Sequence, residues 1–357
     1  MGNIRTVAVI GCGIGRSHIL EGYNRHADKF RVLALCDLDT ARLAAVGDEF
    51  AIPRRTVAFD EVLGMGDVDI VDICTPPSLH VPQALAALAA GKEVVCEKPL
   101  AGSLADIDRL VAAEQAAKTR VMPVFQYRFG NGLQKAKRIV DSGLAGKPYL
   151  ATVETAWNRG AKYYSVPWRG RWETELGGVL LTHAIHSHDI MTYLMGPIAS
   201  VFARTATRVN AIEVEDCAVA ALEMASGALV SLAATLGSQT EISRLRFCFE
   251  NVTFESALTA YSPGDDPWQI VPASPEIEAR IAAALGGWTF VPSRFEGLMA
   301  RYHAALEGGS DFPVTLADAR RSLELVTALF HSAETGAAVS LPLDAAHPRY
   351  GGWRPRG

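Results

Sequence analysis

Residues 6–15, TVAVIGCGIG, decide how the chain is read. TVAVI is apolar and β-branched, a short strand by composition. Gly11, Gly13 and Gly15 follow at once, with Cys12 and Ile14 between them, and residues 16–26 read as a helix. A glycine-rich turn between strand and helix lets backbone N–H groups approach a pyrophosphate, and the helix N-terminus adds a favourable dipole. The loop is one residue shorter than G-x-G-x-x-G, whose last glycine position is Arg16 here.

Working outward, residues 31–36 (RVLALC) form a second strand that ends at Asp37. A carboxylate there can accept both ribose hydroxyl hydrogens of an adenosine. A 2′-phosphate about 4 Å from it would meet repulsion of order 1–4 kcal/mol per charge pair. NAD is therefore expected over NADP, with Arg42 placed to neutralise part of that repulsion. Helix-like stretches at 40–50, 81–90 and 104–117 alternate with strand-like runs at 68–74 (VDIVDIC), 93–96 (EVVC) and 120–126. The last run continues into Gln126, Tyr127 and Arg128, which are read as a strand end. Near-continuous apolar strands alternating with helices predict a parallel, doubly wound sheet.

The remainder changes character. Strand-like runs at 149–157, 200–209, 216–224, 228–235, 245–249 and 252–254 follow one another without crossover helices. Turns near Ser226-Gly227 and between the last two runs signal hairpins. A mostly antiparallel sheet is expected, with helices at 133–142, 180–195, 276–285, 293–307 and 316–335. The composition shifts near Gly130–Gly132, and the division is placed at 1–126 and 127–357. The fold class is α/β, with the second domain α+β.

Composition excludes several classes. At 49% hydrophobic and 20% charged the chain is not disordered. Lys plus Arg is 34 against 39 Asp plus Glu, a net charge of −5, which suits neither nucleic acid nor an anionic membrane surface. None of the six cysteines forms a C-x-x-C pair. Reduced thiols, a start (Met1-Gly2-Asn3) without the look of a secretory leader, and no long apolar stretch predict a cytoplasmic protein.

Three further features occur in order: CTPPSLH (74–80), Glu97-Lys98-Pro99, and GGVLLTHAIHSHD (177–189). With the glycine loop, they make the chain resemble the glucose–fructose oxidoreductase / inositol dehydrogenase / rhizopine catabolism (Gfo/Idh/MocA) family over nearly its whole length. The resemblance implies an N-terminal Rossmann domain and a C-terminal domain with a large open sheet. It implies NAD(P)-dependent oxidation or reduction of a CH–OH group in a sugar, glycoside or inositol-like polyol. Lys98 matches the lysine of the E-K-P motif and His186 the family histidine, which assigns both as acid/base groups. Asp189, three places on, matches an acid of structural character. Thr182 stands where many members carry Asp in G-G-x-L-x-D-x-x-x-H, so a Lys–Asp–His relay does not carry over whole. The implied cofactor contacts are Gly11, Gly13, Ile14, Gly15, Asp37, Thr75, Pro76, His80, Glu97, Lys98, Gln126 and Arg128.

The chemistry stands without the resemblance. Hydride loss from a carbinol carbon leaves a hydroxyl proton for a base. A lysine in an apolar or cationic surround can be pushed toward neutrality, and histidine titrates nearby. Lys98 follows a strand's carboxyl end, where open α/β sheets place ligands. On one continuous helix His183 and His186 (i, i+3), and Thr182 and His186 (i, i+4), would be neighbours. Thr182 can hold a substrate hydroxyl or orient His186 but is no base near neutral pH. The set His183, His186 and Asp189 lacks the spacing of a zinc helix, and no metal is expected. The aromatic and basic segment 158–173 reads as substrate lining, led by Tyr163, Trp168, Arg169 and Arg171, or as a packed loop over the sheet. Lys98, Tyr127, Arg128, Thr182, His183 and His186 complete the substrate candidates.

Three functions remain open on the sequence: an NAD-dependent dehydrogenase; an enzyme that oxidises transiently and cleaves or epimerises with no net redox change; and a non-catalytic dinucleotide or sugar sensor. Too few C-terminal helices are expected to cover both sheet faces, so a homodimer or homotetramer joined through that sheet is predicted.

Overall fold

The computed structural model describes residues 4–308 and 311–354, so the expectation about the first residues falls partly outside the described ones. The chain forms two compact units, Met1–Phe125 with Phe295–Ala319, and Gln126–Arg294 with Arg320–Gly357.

The first unit runs β1 (Arg5–Ile10), α1 (Gly15–Glu21), β2 (Phe30–Cys36), α2 (Thr40–Glu49), β3 (Arg54–Thr56), α3 (Phe59–Leu63), β4 (Ile70–Ile73), α4 (His80–Ala89), β5 (Glu93–Cys96), α5 (Leu104–Ala116) and β6 (Val121–Pro123). The strands pair in parallel in the order β3-β2-β1-β4-β5-β6. The order reverses between β1 and β4, and ligands of doubly wound sheets bind outside the strand ends at that reversal. Every residue of β4 is buried, which explains its near-continuous apolar run. Local signals start the helices: the Asp39 side chain accepts the Arg42 N–H at α2, and Ser103 accepts the Asp106 N–H at α5.

The second unit follows with α6 (Asn131–Asp141), β7 (Pro148–Asn158), α7 (Ala161–Tyr164), α8 (Val179–Thr182), α9 (Ile185–Met195), β8 (Ile198–Ala206), β9 (Cys217–Met224), β10 (Leu229–Thr235), β11 (Gly237–Phe249), β12 (Val252–Glu255), β13 (Gln269–Pro272) and α10 (Pro275–Ala284). The last elements are α11 (Arg294–Leu306), α12 (Leu316–Thr335) and β14 (Val339–Ser340), of which α11 from Phe295 onward and the start of α12 fall in the first unit. The eight-stranded sheet has the order β13-β12-β11-β7-β10-β9-β8-β14. Only the β7–β10 pair is parallel; β9–β10 and β11–β12 are the expected antiparallel pairs. Buried and exposed residues alternate along β10, so the sheet keeps one open face, where Val219 is 57% and Leu229 56% exposed. Among the described residues no helix is long and apolar enough to cross a membrane.

Three readings are corrected. The 1–126/127–357 division does not place residues 295–319, which belong to the first unit. Their side chains complete its core: the Phe295 ring lies 4.5 Å from His18, and Phe30 stacks on Tyr302. The strand expected at 120–126 ends at Pro123, and Gln126–Arg128 is a buried 3-10 turn. The helix expected at 180–195 breaks at His183, where Ala184 N–H reaches back to Val179 O at 2.8 Å. Thr182 Oγ1 bonds to Gly178 O four residues back, and such back-bonding bends helices.

Candidate active site

In the first unit the glycine loop lies at the strand ends beside the β1–β4 reversal. Gly11 has φ +93°, and a Cβ there would sit 2.6 Å from the Cys74 carbonyl oxygen. A Cβ at Gly15 would sit 2.6 Å from Val9 Cγ1, so this glycine sets the close packing of α1 on β1. Gly13 is different: a Cβ there meets nothing within 4 Å. Its backbone faces open space, the cradle a pyrophosphate needs. Ile14 precedes α1 and is exposed.

Asp37 closes the loop. Its Oδ2 accepts the Cys12 N–H at 2.7 Å and its Oδ1 the Asp39 N–H at 2.9 Å. Arg42 Nη1 lies 3.5 Å from Asp37 Oδ2, and Arg42 Nη2 bonds to Asp39. Arg42 is therefore held by two carboxylates, which limits the relief it could give a 2′-phosphate. The open glycine and the placed carboxylate fit a dinucleotide.

The turns after β4 and β5 are tied together. His80 is buried, with Nδ1 2.8 Å from Pro99 O and Nε2 2.7 Å from Thr75 O. Burial holds its proton affinity below the ordinary imidazole value although both carbonyls favour the charged form. A neutral ring donates to one carbonyl at a time. Thr75 Oγ1 donates to Gln83 Oε1 at 2.6 Å. Pro76 leads into a 3-10 turn, Pro77–Leu79. Glu97 is buried; its Oε1 lies 3.0 Å from His18 Nε2 and its Oε2 accepts the Lys98 N–H at 3.0 Å. Thr75, His80 and Glu97, expected to touch a cofactor, thus carry internal bonds through their side chains. Lys98 is half-buried on the turn they fix.

His18 and Asp72 escaped the sequence reading. The one available signal was an acid within the apolar run 68–74, which a two-face-buried strand must pair. His18, Asp72 and Cys74 bring potential ligand atoms within 4.8 Å of one another. His18 Nδ1 and Asp72 Oδ2 are 2.8 Å apart, a hydrogen-bond length and shorter than the roughly 3.3 Å between ligands of a tetrahedral zinc.

In the second unit, Gln126, Tyr127 and Arg128 share one buried turn. Tyr127 stacks on His186, centroids 4.1 Å apart. Arg128 forks onto Asp189, with Nε–Oδ2 and Nη2–Oδ1 both 2.6 Å, which gives Asp189 its structural character. Gln126 Oε1 is buried without a hydrogen-bond partner among the described residues, an acceptor that a ligand donor would satisfy. Glu215, which no sequence signal marks, accepts the Gly178 and Leu180 N–H groups at 3.0 Å each and so fixes the start of α8. Burial pushes its carboxyl up to about 7, against the pull of those two donors.

The break before α9 separates His183 from His186. Thr182 lies 2.7 Å from His183 Nδ1 through Oγ1. Because that hydroxyl donates to Gly178 O, the Nδ1 supplies the hydrogen in the second contact. His183 meets Trp157 edge-on at 5.5 Å and Tyr163 at 5.6 Å. Thr182 thus orients His183. Segment 158–173 packs on itself: Arg169 lies 3.9 Å from the Tyr163 ring centre, 4.2 Å from that of Trp168 and 3.2 Å from Glu175. It also bonds to the Tyr163 hydroxyl. Arg171 is exposed, and its carbonyl accepts the Glu175 N–H. Burial pushes the Tyr163 phenol up to about 12.

Comparison with known proteins identifies the family of both units. Residues 5–125 match the profile "Oxidoreductase family, NAD-binding Rossmann fold" and residues 133–255 match "GFO/IDH/MocA C-terminal domain". The D-apiose dehydrogenase of Rhizobium rhizogenes is 27% identical over 94% of this chain and 96% of its own. Inositol 2-dehydrogenase 3 of Saccharopolyspora erythraea is 38% identical over 41% of this chain and 43% of its own. The crystal structure of the WlbA dehydrogenase from Bordetella pertussis, in complex with NADH and UDP-GlcNAcA, superposes with a TM-score of 0.83 at 29% identity. It matches 96% of this chain and 100% of that one. With both units matched by their own profile, the open Gly13 at the sheet reversal belongs to an NAD-binding Rossmann domain, and the chain is a member of the Gfo/Idh/MocA oxidoreductases.

Proposed function

We propose that the protein is an NAD-dependent dehydrogenase that oxidises a secondary hydroxyl of a sugar, glycoside or inositol-like polyol. The observation that carries this reading lies in the first unit. The Lys98 turn is anchored at the carboxyl end of β5, in the same parallel sheet whose β1 end carries the open Gly13. Relatives named for apiose and inositol dehydrogenation support the substrate class.

NAD, when bound, supplies the hydride acceptor. The residues assigned to hold it are the Gly11–Gly15 loop, Ile14, Asp37 for the ribose hydroxyls, the Thr75-Pro76 and Lys98 turns, and Gln126. His80, Glu97 and Arg128 brace those turns. Lys98 Nζ takes the hydroxyl proton, and the His186 imidazole is the second acid/base group. Tyr127, Tyr163, Trp168, Arg169, Thr182 and His183 are the substrate candidates. The open sheet face, with Phe202, Val219 and Leu229 exposed among charged residues such as Arg244 and Arg246, supports association of like chains into a dimer or tetramer. A monomer in light scattering at micromolar concentration would contradict that part.

The test is NADH absorbance with NAD or NADP and a panel of sugars, glycosides and inositols, run on the wild type, Lys98→Met and His186→Ala. Turnover with NAD that both substitutions abolish supports the reading. Substrate loss by mass spectrometry with NADH retained on the protein moves it to a closed redox cycle. NADH binding with no substrate change across the panel favours a sensor.

A further inference from the structure

His18 lies fully buried in α1 with a carboxylate oxygen against each ring nitrogen: Asp72 Oδ2 2.8 Å from Nδ1, Glu97 Oε1 3.0 Å from Nε2. An ionised carboxylate has no hydrogen to give. The two contacts therefore hold two hydrogens, either both on the ring or one on the ring and one on an acid. In both cases the trio carries one net negative charge.

The surroundings choose between them. Burial opposes a charged ring, but Asp72 and Cys74 favour it, and the net shift of His18 is well above the ordinary imidazole value. Burial likewise opposes a Glu97 carboxylate, yet its bond to His18 and the charge of Lys98 leave it below the usual carboxylate range. An imidazolium between two carboxylates satisfies every partner.

The groups facing this trio come from several elements. The Tyr23 hydroxyl donates to Asp72 Oδ2 at 3.0 Å. Cys74 Sγ lies 3.5 Å from both His18 Nδ1 and Asp72 Oδ1. Cys96 on β5, His80 on α4 and Tyr302 on α11 are the further titratable groups, and Phe295 closes the side toward α11. The trio reaches the proposed proton acceptor by one bond: the second Glu97 oxygen accepts the main-chain N–H of Lys98 at 3.0 Å.

We propose that His18 is a positioning residue for Lys98, acting through Glu97. Clamped between Asp72 and Glu97, it fixes the carboxylate that anchors the Lys98 main chain and stands as the charged neighbour of its amine. In the reaction this role rests on the assignment of Lys98 as proton acceptor. Its physical core, the coupling of His18 and Glu97 to the Lys98 amine, does not.

The test is therefore free of substrate. The full-length protein, with NADH bound, is reductively dimethylated with labelled formaldehyde, and the Lys98 methyl resonance, identified by its loss in Lys98→Met, is titrated by carbon NMR. In Glu97→Gln, which keeps the side-chain shape, the titration is expected to move down by about one pH unit, the size of one negative charge lost at roughly 10 Å. A midpoint unchanged in Glu97→Gln overturns the proposal. Nitrogen NMR of the wild-type imidazole is the second arm and requires no variant to fold. His18 protonated on both nitrogens at neutral pH supports the clamp; a neutral ring overturns it. Lys98→Met that still turns over substrate sinks the assignment of Lys98 as acceptor, while the titration continues to judge the coupling.

Discussion

Tyr127 lies flat against His186, the ring centroids 4.1 Å apart and the planes 23° from parallel. Tyr127 belongs to a buried turn and His186 to the first turn of α9, so the phenol ring limits how far the imidazole can swing. A ring pair of this kind is worth about 0.5–1.5 kcal/mol. Tyr127→Ala is expected to lower kcat by roughly 3- to 10-fold, because His186 loses its platform. Tyr127→Phe keeps the ring and should lose less than Tyr127→Ala. Steady-state rates at saturating NAD decide it, and equal rates for Tyr127→Ala and wild type would remove the platform from the account.

The loop glycines separate into two kinds. Gly11→Ala puts a Cβ 2.6 Å from a carbonyl oxygen at φ +93°. Positive φ costs roughly 1–2 kcal/mol and overpacking about 1–3 kcal/mol more, so the melting temperature should drop by several degrees. Gly13→Ala meets no protein atom within 4 Å and should melt with the wild type. The same Cβ occupies the cradle, and NADH affinity measured by fluorescence should fall about tenfold or more, equivalent to about 1.4 kcal/mol. Unimpaired NADH binding by Gly13→Ala would show that the pyrophosphate does not approach this residue.

His188 is fully buried, and neither ring nitrogen has a hydrogen-bond partner among the described residues. Burial lowers its pKa from 6.5 to about 3. Between those values the unfolded chain binds a proton that the folded chain does not, so stability is lost as pH falls. His188→Leu, of similar size, removes both the unpartnered nitrogens and this acid sensitivity. It should stabilise the protein by about 1–3 kcal/mol at neutral pH, and by more at pH 5. Denaturant melts at both values test this, and a gap that does not widen on acidification would contradict it.

The sequence made the parallel sheet legible because apolar runs, glycine turns and helical stretches all repeat at short range. The hairpins β9–β10 and β11–β12 were legible for the same reason. What it hid depends on contacts far along the chain. His18 reads as one more helix residue until Asp72 and Glu97 close on it, 54 and 79 residues away. Glu215 reads as a surface acid until it meets the Gly178 and Leu180 N–H groups. The break between α8 and α9 lies in a run with no proline and no glycine, and it stems from hydrogen bonding by Thr182 and Ala184. Helix α11 has an ordinary amphipathic pattern that does not say which core it joins. Arg128 reads as a strand end, and neither its buried 3-10 turn nor its fork onto Asp189 shows in the sequence.

The return of residues 295–319 to the first unit bears on how the protein is made. Phe295, Tyr302 and Phe312 supply rings that His18, Phe30 and Arg120 pack against. During synthesis the six strands of that unit leave the ribosome long before these rings do. Until residue 319 has emerged the nascent sheet lacks one of its walls, and the whole of the intervening segment must be translated while it waits. A gene fragment ending at residue 125 would encode every strand of the Rossmann sheet and still not encode a finished domain.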